Sequence, residues 1–314
     1  MVCVLAALFI CLATLFADSK TLALQICLDR AGYSCNTIDG VWGRKGSRAL
    51  QRYVRDHAIN AGESVPTDPD EAYDRYFAGQ EKLFRIETVT EADLKSLVSI
   101  PTEPAARARL DRMGYETVKE MFAERGHVSQ RALERMNPGV VWDSIEPGLK
   151  LVIQDFPSAE EELSVWPKGR PGAPERPEAD LVRISLSNFE VTVFDAKGKL
   201  LALFPCSIAR DKAKLPSKGE LRITTPIARP NYTYTPDYTP AGQKVRRYVW
   251  PEGPNCPIGI VWLGLNLPGY GIHGTVRPES IGNCESHGCF RLANWNAARL
   301  YAMVKAGTRV LIDP

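Results

Sequence analysis

The segment WPKGRPGAPERPEAD, from Trp166 to Asp180, constrains the fold of this chain more than any other, because it suits neither a helix interior nor a central strand. Pro167, Pro171, Pro174 and Pro177 each fix their own φ and lack an amide donor, so no regular ladder runs through them. The stretch reads as an extended, semi-rigid linker, bounded at residues 157–179, between two differently patterned halves.

Beyond the linker the period is that of strands. LVRISLSNFEVTVFD alternates apolar and polar residues, KGKLLALFPCSIA follows a turn at Lys197 and Gly198, and GELRITTPI makes a third run. PIGIVWLGL and GYGIHGT are shorter, and the chain closes with a helix, NWNAARLYAMVKAG, and a strand, TRVLI. Residues 180–314 therefore predict a mainly β domain of sandwich or barrel type with a reactive loop on its rim.

Ahead of the linker, the chain reads as helical units. Leu22, Leu24, Ile26 and Leu28 precede Gly32, and Ala49, Leu50, Tyr53 and Val54 recur at helical spacing after the turn DGVWG, which predicts a small α-helical unit over 20–56. Residues 57–84, polar and broken by Pro66 and Pro69, read as a connector. From 85 to 156 an α+β unit is expected: a helix with Val118, Met121 and Phe122 on one face, a second with Leu133 and Met136, then the strand LKLVI. His127 is assigned to a helix end with no catalytic role. The opening apolar run, Val2 to Phe16, is shorter than the roughly 20 residues that span a bilayer. Residues 1–17 thus read as a secretory signal cleaved after Ala17, with an uncleaved membrane anchor as the alternative, and no stable membrane partner is expected for the remainder of the chain.

A formal net charge of +2 with no basic stripe argues against nucleic acid as a partner. Eight cysteines suit an exported chain. Cys27 and Cys35 flank a short turn-like segment, and in an oxidising compartment a disulfide between them is expected. If Cys289 stays free, Cys206, Cys256 and Cys284 leave at most one further pair, which the sequence does not choose.

The chemistry concentrates in GIHGTVRPESIGNCESHGCFRL. A cysteine preceded directly by glycine, with two histidines close by, offers a sulfur, a base and a turn of bare backbone amides. Cys289 is the candidate nucleophile and His273, from a separate strand end, its base. Gly288 permits a tight turn, so the amides of His287, Gly288 and Cys289 are candidates to hold an oxyanion. Arg291 suits a carboxylate or a loop-fixing salt bridge; Ser286 suits the turn or the substrate. Tyr270 is placed in the cleft and Trp295 in packing. His273, Cys284, His287 and Cys289 are also zinc-competent, but their spacing is not that of a usual knuckle.

HGT followed by SHGC and then Phe-Arg-Leu, inside a β-rich domain, resembles the L,D-transpeptidase catalytic-domain family from Leu181 to Asp313. LQICLDRAGYSCNTIDGVWGRKGSRALQRYV is similar to a peptidoglycan-binding module, with Asp39, Gly40 and Gly43 in its turn and Gln51 in its last helix. The Asn137-Pro138 pair, Pro147-Gly148 and the strand after them resemble a lysin motif, which grips glycan. These resemblances imply an enzyme of the cell envelope or periplasm whose partner is peptidoglycan, both glycan strands and peptide stems, and which needs no metal or cofactor. They imply attack by Cys289 on a tetrapeptide stem, loss of D-alanine and a thioester resolved by a second stem as a 3→3 cross-link. They also imply that the Gly274 carbonyl orients the base. Water or a protein amine as acceptor are the alternatives within that class, and a non-catalytic wall-binding protein is the alternative outside it. Cys284 departs from the family pattern.

Overall fold

The structure, a computed structural model, describes residues 19–57, 64–165, 177–216, 219–236, 244–286 and 288–314. The segment expected to be a signal, 1–17, most of the proline-rich stretch and His287 lie outside the described residues. No helix among the described residues is long and apolar enough to cross a membrane.

Helix α1 (Lys20–Arg30) is buried from Leu22 to Asp29. Leu24 and Leu28 enter one apolar cluster with Ala49, Leu50 and Val54 of α2 (Arg44–Asp56), while Leu22 and Ile26 enter another with Phe122 and Leu133. Burial on two sides explains why apolar residues recur at every second position of α1 rather than along one stripe. Each such leucine contributes about 2 kcal/mol of burial. Asp68 caps α3 (Pro69–Tyr76) by accepting from the Asp70 and Glu71 amides, both at 2.9 Å. Ala72 and Phe77 then join the α1–α2 cluster, so much of the expected connector at 57–84 is part of the first unit.

In the second unit, β1 (Phe84–Thr88) is followed by α4 (Glu91–Lys95), α5 (Pro104–Arg107), α6 (Val118–Arg125), α7 (Gln130–Met136) and β2 (Lys150–Gln154). The two strands pair antiparallel, from Phe84 opposite Gln154 to Thr88 opposite Lys150. Asn137 pins the closing strand: its amide donates to the Val152 carbonyl at 2.9 Å and accepts from the Val152 N–H at 2.7 Å. Helix α8 (Ala159–Val165) comes next, inside the expected linker, and its Ala159 and Leu163 lie in the core of the last domain.

That domain comprises β3 (Leu181–Ser185), β4 (Glu190–Phe194), β5 (Leu200–Pro205), β6 (Ile208–Ala209), β7 (Gly219–Ala228), β8 (Tyr232–Tyr234), β9 (Tyr248–Trp250), β10 (Val261–Leu265), β11 (Gly271–His273), β12 (Cys284–Ser286), β13 (Phe290–Arg291), α9 (Asn294–Met303) and β14 (Arg309–Asp313). As expected, the domain is mainly β: a curled eight-stranded sheet in the order β13-β11-β10-β7-β14-β3-β4-β5, with ladders β6-β12 and β8-β9 beside it and β7 shared between β14 and β10. Parallel pairs β14-β3 and β11-β13 make the sheet mixed. Parallel neighbours need long crossovers, which an all-hairpin meander lacks.

The linker does not hold the units apart. Gly32, at φ 89°, accepts from the Leu203 N–H at 2.8 Å and Leu203 accepts from Ser34 at 2.9 Å, which docks the first unit on edge strand β5. His127, expected at a helix end, is fully buried where all three units meet. Its ring lies flat between Phe156 at 4.5 Å and Trp295 at 5.0 Å. Its Nδ1 faces Asp29 at 3.3 Å, and Arg299 of α9 reaches the same carboxylate at 2.7 Å. Burial opposes ionisation of Asp29, yet Arg299 and His127 hold that carboxyl below its ordinary range.

Candidate active site

Strand β11 is held between β10 and β13, with His273 opposite Trp262 on one side and Arg291 on the other. Partners in register share a sheet face and successive residues alternate. Ile272 and Phe290, paired and fully buried, point to the core. His273 and Arg291 therefore share the opposite face, and extending the ladder by one residue sets Cys289 on it beside Gly271, which has no side chain to intervene. A Cβ at Gly271 would lie 2.6 Å from the Trp262 ring, and the Trp262 and His273 rings stack at 5.8 Å and 26°.

Before the nucleophile, Gly288 has φ 153°, and a side chain there would meet the Tyr270 ring at 3.4 Å. Tyr270 is itself tied to the Lys214 carbonyl through its hydroxyl at 2.9 Å. The Cys289 thiol donates to the Gly269 carbonyl at 3.4 Å. His273 Nδ1 donates to the Gly274 carbonyl at 2.6 Å. Because a carbonyl only accepts, Nδ1 carries the proton and Nε2 remains the basic nitrogen.

Burial drives His273 down to about 4, with Arg291 adding to the effect and the Gly274 bond opposing it. Burial pushes the Cys289 thiol up, and a Gly271 backbone hydrogen bond and the Arg291 charge oppose the rise. The resting pair is thus a neutral thiol and a neutral imidazole. Such a site moves the thiol proton during attack rather than storing a thiolate beforehand.

Most sequence-predicted residues converge here: Cys289, His273, Gly274, Gly288, Arg291 and Tyr270. Ser286 lies in β12, in register with Ala209, and His287 falls outside the described residues. Trp295, fully buried against His127, is packing. The disulfide is a correction: Cys27 and Cys35 are free, buried thiols, with burial raising Cys27 to about 11 and Cys35 further. Both sit in the apolar cluster of α1 and α2 as small hydrophobic residues. Cys206 and Cys256 are likewise free and buried, whereas Cys284 is free and exposed. Among the described residues, no group of three or more His, Cys, Asp or Glu is arranged to hold a metal ion. Sequence reasoning passed over Trp262; its signal was the alternation of PIGIVWLGL, which puts Trp262 and the neighbouring strand's histidine on one face.

Residues 179–312 match the L,D-transpeptidase catalytic domain of the YkuD family. A provisionally named L,D-transpeptidase, YkuD of Bacillus licheniformis, is 45% identical over 76 residues, which cover 24% of this chain and 46% of that protein. YqjB of Bacillus subtilis, provisionally named in the same way, is 33% identical over 112 residues, 34% of this chain and 57% of that protein. The chain spans about half the length of these curated relatives. Among solved structures, an L,D-transpeptidase from Mycobacterium smegmatis aligns over 43% of this chain and 59% of its own, with 18% identity and a TM-score of 0.34. The matched domain begins where Ala179 enters the core and contains every catalytic candidate.

Proposed function

We propose that this chain is an exported L,D-transpeptidase in which Cys289 is the nucleophile and His273 the general base. The observation that carries the reading is the common face of Cys289, His273 and Arg291 across the β11–β13 ladder, with the Nδ1–H of His273 fixed on a backbone carbonyl. As the thiol sulfur bonds to the carbonyl carbon of the stem's third residue, its proton passes to His273 Nε2. Collapse of the tetrahedral intermediate breaks the bond to D-alanine, whose amine takes that proton, and leaves a thioester. An amine from a second stem attacks the thioester, loses a proton to the imidazole and forms the new amide; the proton returns to sulfur. Arg291 offers the stem a forked partner for a carboxylate, and backbone amides at Gly288 and Cys289 meet the developing oxyanion.

The two N-terminal units are, in this reading, glycan-gripping modules of the peptidoglycan-binding and lysin-motif kinds, and the protein works in the cell envelope. The antiparallel β1–β2 pair that encloses helices α4 to α7 within residues 84–154 and the Asn137 pin on β2 support the second assignment. Mass spectrometry of disaccharide-tetrapeptide incubated with the protein tests the activity. Cross-linked dimer marks a transpeptidase and tripeptide a carboxypeptidase; no product, or product that persists in Cys289→Ala, overturns the reading. A carbapenem is expected to add its mass to Cys289 and to nothing else.

A further inference from the structure

One buried acid outside the catalytic set lies within reach of the base's own support. Glu124, on α6 of the second unit, is 8% exposed and accepts from the Asn294 side-chain amide at 3.1 and 3.2 Å and from the Tyr115 hydroxyl at 3.0 Å. Asn294, fully buried at the start of α9, also donates to the Pro254 carbonyl at 3.3 Å. Its oxygen accepts from the Ile260 N–H at 3.4 Å and fills the space beside two glycines: a Cβ on Gly259 or Gly274 would fall 2.1 Å from it. Gly274 is the residue whose carbonyl holds His273 Nδ1. The backbone around this contact is pinned as well, Gly274 N–H to the Val261 carbonyl at 3.2 Å and Leu292 N–H to the His273 carbonyl at 2.8 Å.

We propose that Asn294 and Glu124 are positioning residues for the catalytic base, so that the second unit, through one carboxyl group, sets the orientation and tautomer of His273. Asn294 wedges the Gly274 peptide against Gly259; the Gly274 carbonyl then fixes the ring. Glu124 fixes the wedge by taking both of its contacts from the same side-chain nitrogen. Neighbouring segments seat α6 firmly: Met113 N–H donates to the Glu252 carbonyl at 2.8 Å and Asn255 donates to the Gly114 carbonyl at 3.0 Å. Burial raises the Glu124 carboxyl to about 8, while its bonds from Asn294 and Tyr115 favour the ionised form.

The proposal rests on Cys289 and His273 being nucleophile and base, and its test reads that pair without peptidoglycan. The full chain is treated with iodoacetamide across a pH series, and labelling of each cysteine is followed by mass spectrometry. Exposed Cys284 is the internal reference, and buried Cys27 and Cys35 report opening of the fold. Glu124→Ala and Asn294→Ala are expected to slow labelling of Cys289 by roughly tenfold or more, since a displaced base loses its alignment with the sulfur. Cys284 is expected to keep its rate and Cys27 and Cys35 their protection. Glu124→Gln, whose carbonyl still accepts from Asn294, is expected to stay near the parent. Nitrogen NMR of the His273 ring is expected to change from one Nδ1–H tautomer to a mixture in Asn294→Ala. Unchanged Cys289 labelling and an unchanged tautomer in folded Glu124→Ala and Asn294→Ala overturn the proposal. Where Glu124→Ala opens the fold, as labelling of Cys27 reveals, Asn294→Ser supplies the same decision. Labelling of Cys289 that is unchanged by His273→Ala refutes the assignment of the pair itself, a result distinct from failure of the relay.

Discussion

His273 and His127 are both withdrawn from water, at 5% and 0% exposure, yet they sit in opposite chemical settings. His273 has a backbone carbonyl on one nitrogen, a tryptophan face beside it and a cysteine along its ladder. His127 is closed in by Asp29, the Pro157 carbonyl at 3.2 Å, two aromatic faces and the Arg299 that also reaches Glu162 at 3.6 Å. In both, burial is the first cause lowering the pKa. The difference lies in what the second nitrogen can reach. One ring is left a lone pair to use; the other has both nitrogens engaged and can only hold units together.

Replacing the reacting groups tests the contrast most severely. Cys289→Ala is expected to cut D-alanine release by a thousandfold or more, on the order seen when a nucleophile is removed. His273→Ala should cost on the order of 10²–10⁴. Thermal melting of both should stay near that of the parent. His127→Ala, if as inactive as His273→Ala while still folded, would erase the distinction drawn here.

The junction responds in stability instead. His127→Ala or Arg299→Met leaves Asp29 buried with one partner fewer, which costs about 3–5 kcal/mol. Denaturant unfolding should show that loss, while kcat/KM of the folded fraction changes little.

Dependence on pH sharpens the comparison further. The base works as a neutral imidazole, so the acid limb of kcat/KM is expected near 4, below the ordinary 6.5. For stability, the unfolded chain binds a proton at His273 between about 6.5 and about 4 that the folded chain excludes, so stability falls as pH drops through that window. Glu124 has the opposite sign. Its folded carboxyl keeps a proton between 4.5 and about 8 that the unfolded chain releases, so its contribution is lost as pH rises through about 8. His273→Gln should flatten the acid slope and Glu124→Gln the alkaline one in melts recorded across pH.

The smallest expected effect is at Gly271. Alanine there overlaps the Trp262 ring and should lower kcat/KM roughly tenfold by shifting the surface beside His273. An unchanged rate would show that the tryptophan face does not position the base.

Much of the site was legible because its chemistry is local in sequence. Cys289, Gly288 and Arg291 lie within a few residues, and His273 was distinguishable from His287 by its place at a strand end. The partners that tune them were not legible, since Trp262 matters only through register, Asn294 only through the packing of α9, and Glu124 only through docking of a distant unit. Strand positions were readable from alternation, but the strand order was not, because parallel pairs such as β14-β3 join segments far apart in the chain. The predicted disulfide came from spacing alone; Cys27 and Cys35 instead fill apolar volume.

Helix α8 and Ala179 stand on either side of the proline-rich stretch, and both are fastened to the same core: Leu163 lies in it and the Ala179 N–H donates to the Met303 carbonyl at 2.9 Å. Whatever its path, that stretch departs from and returns to one body, so its length does not govern how far the N-terminal units range from the thiol. A polymer held by those units would meet the sulfur at a set offset. Lengthening the prolines would leave the offset intact, while loosening the His127 junction would release it, turning a fixed gauge into a tether.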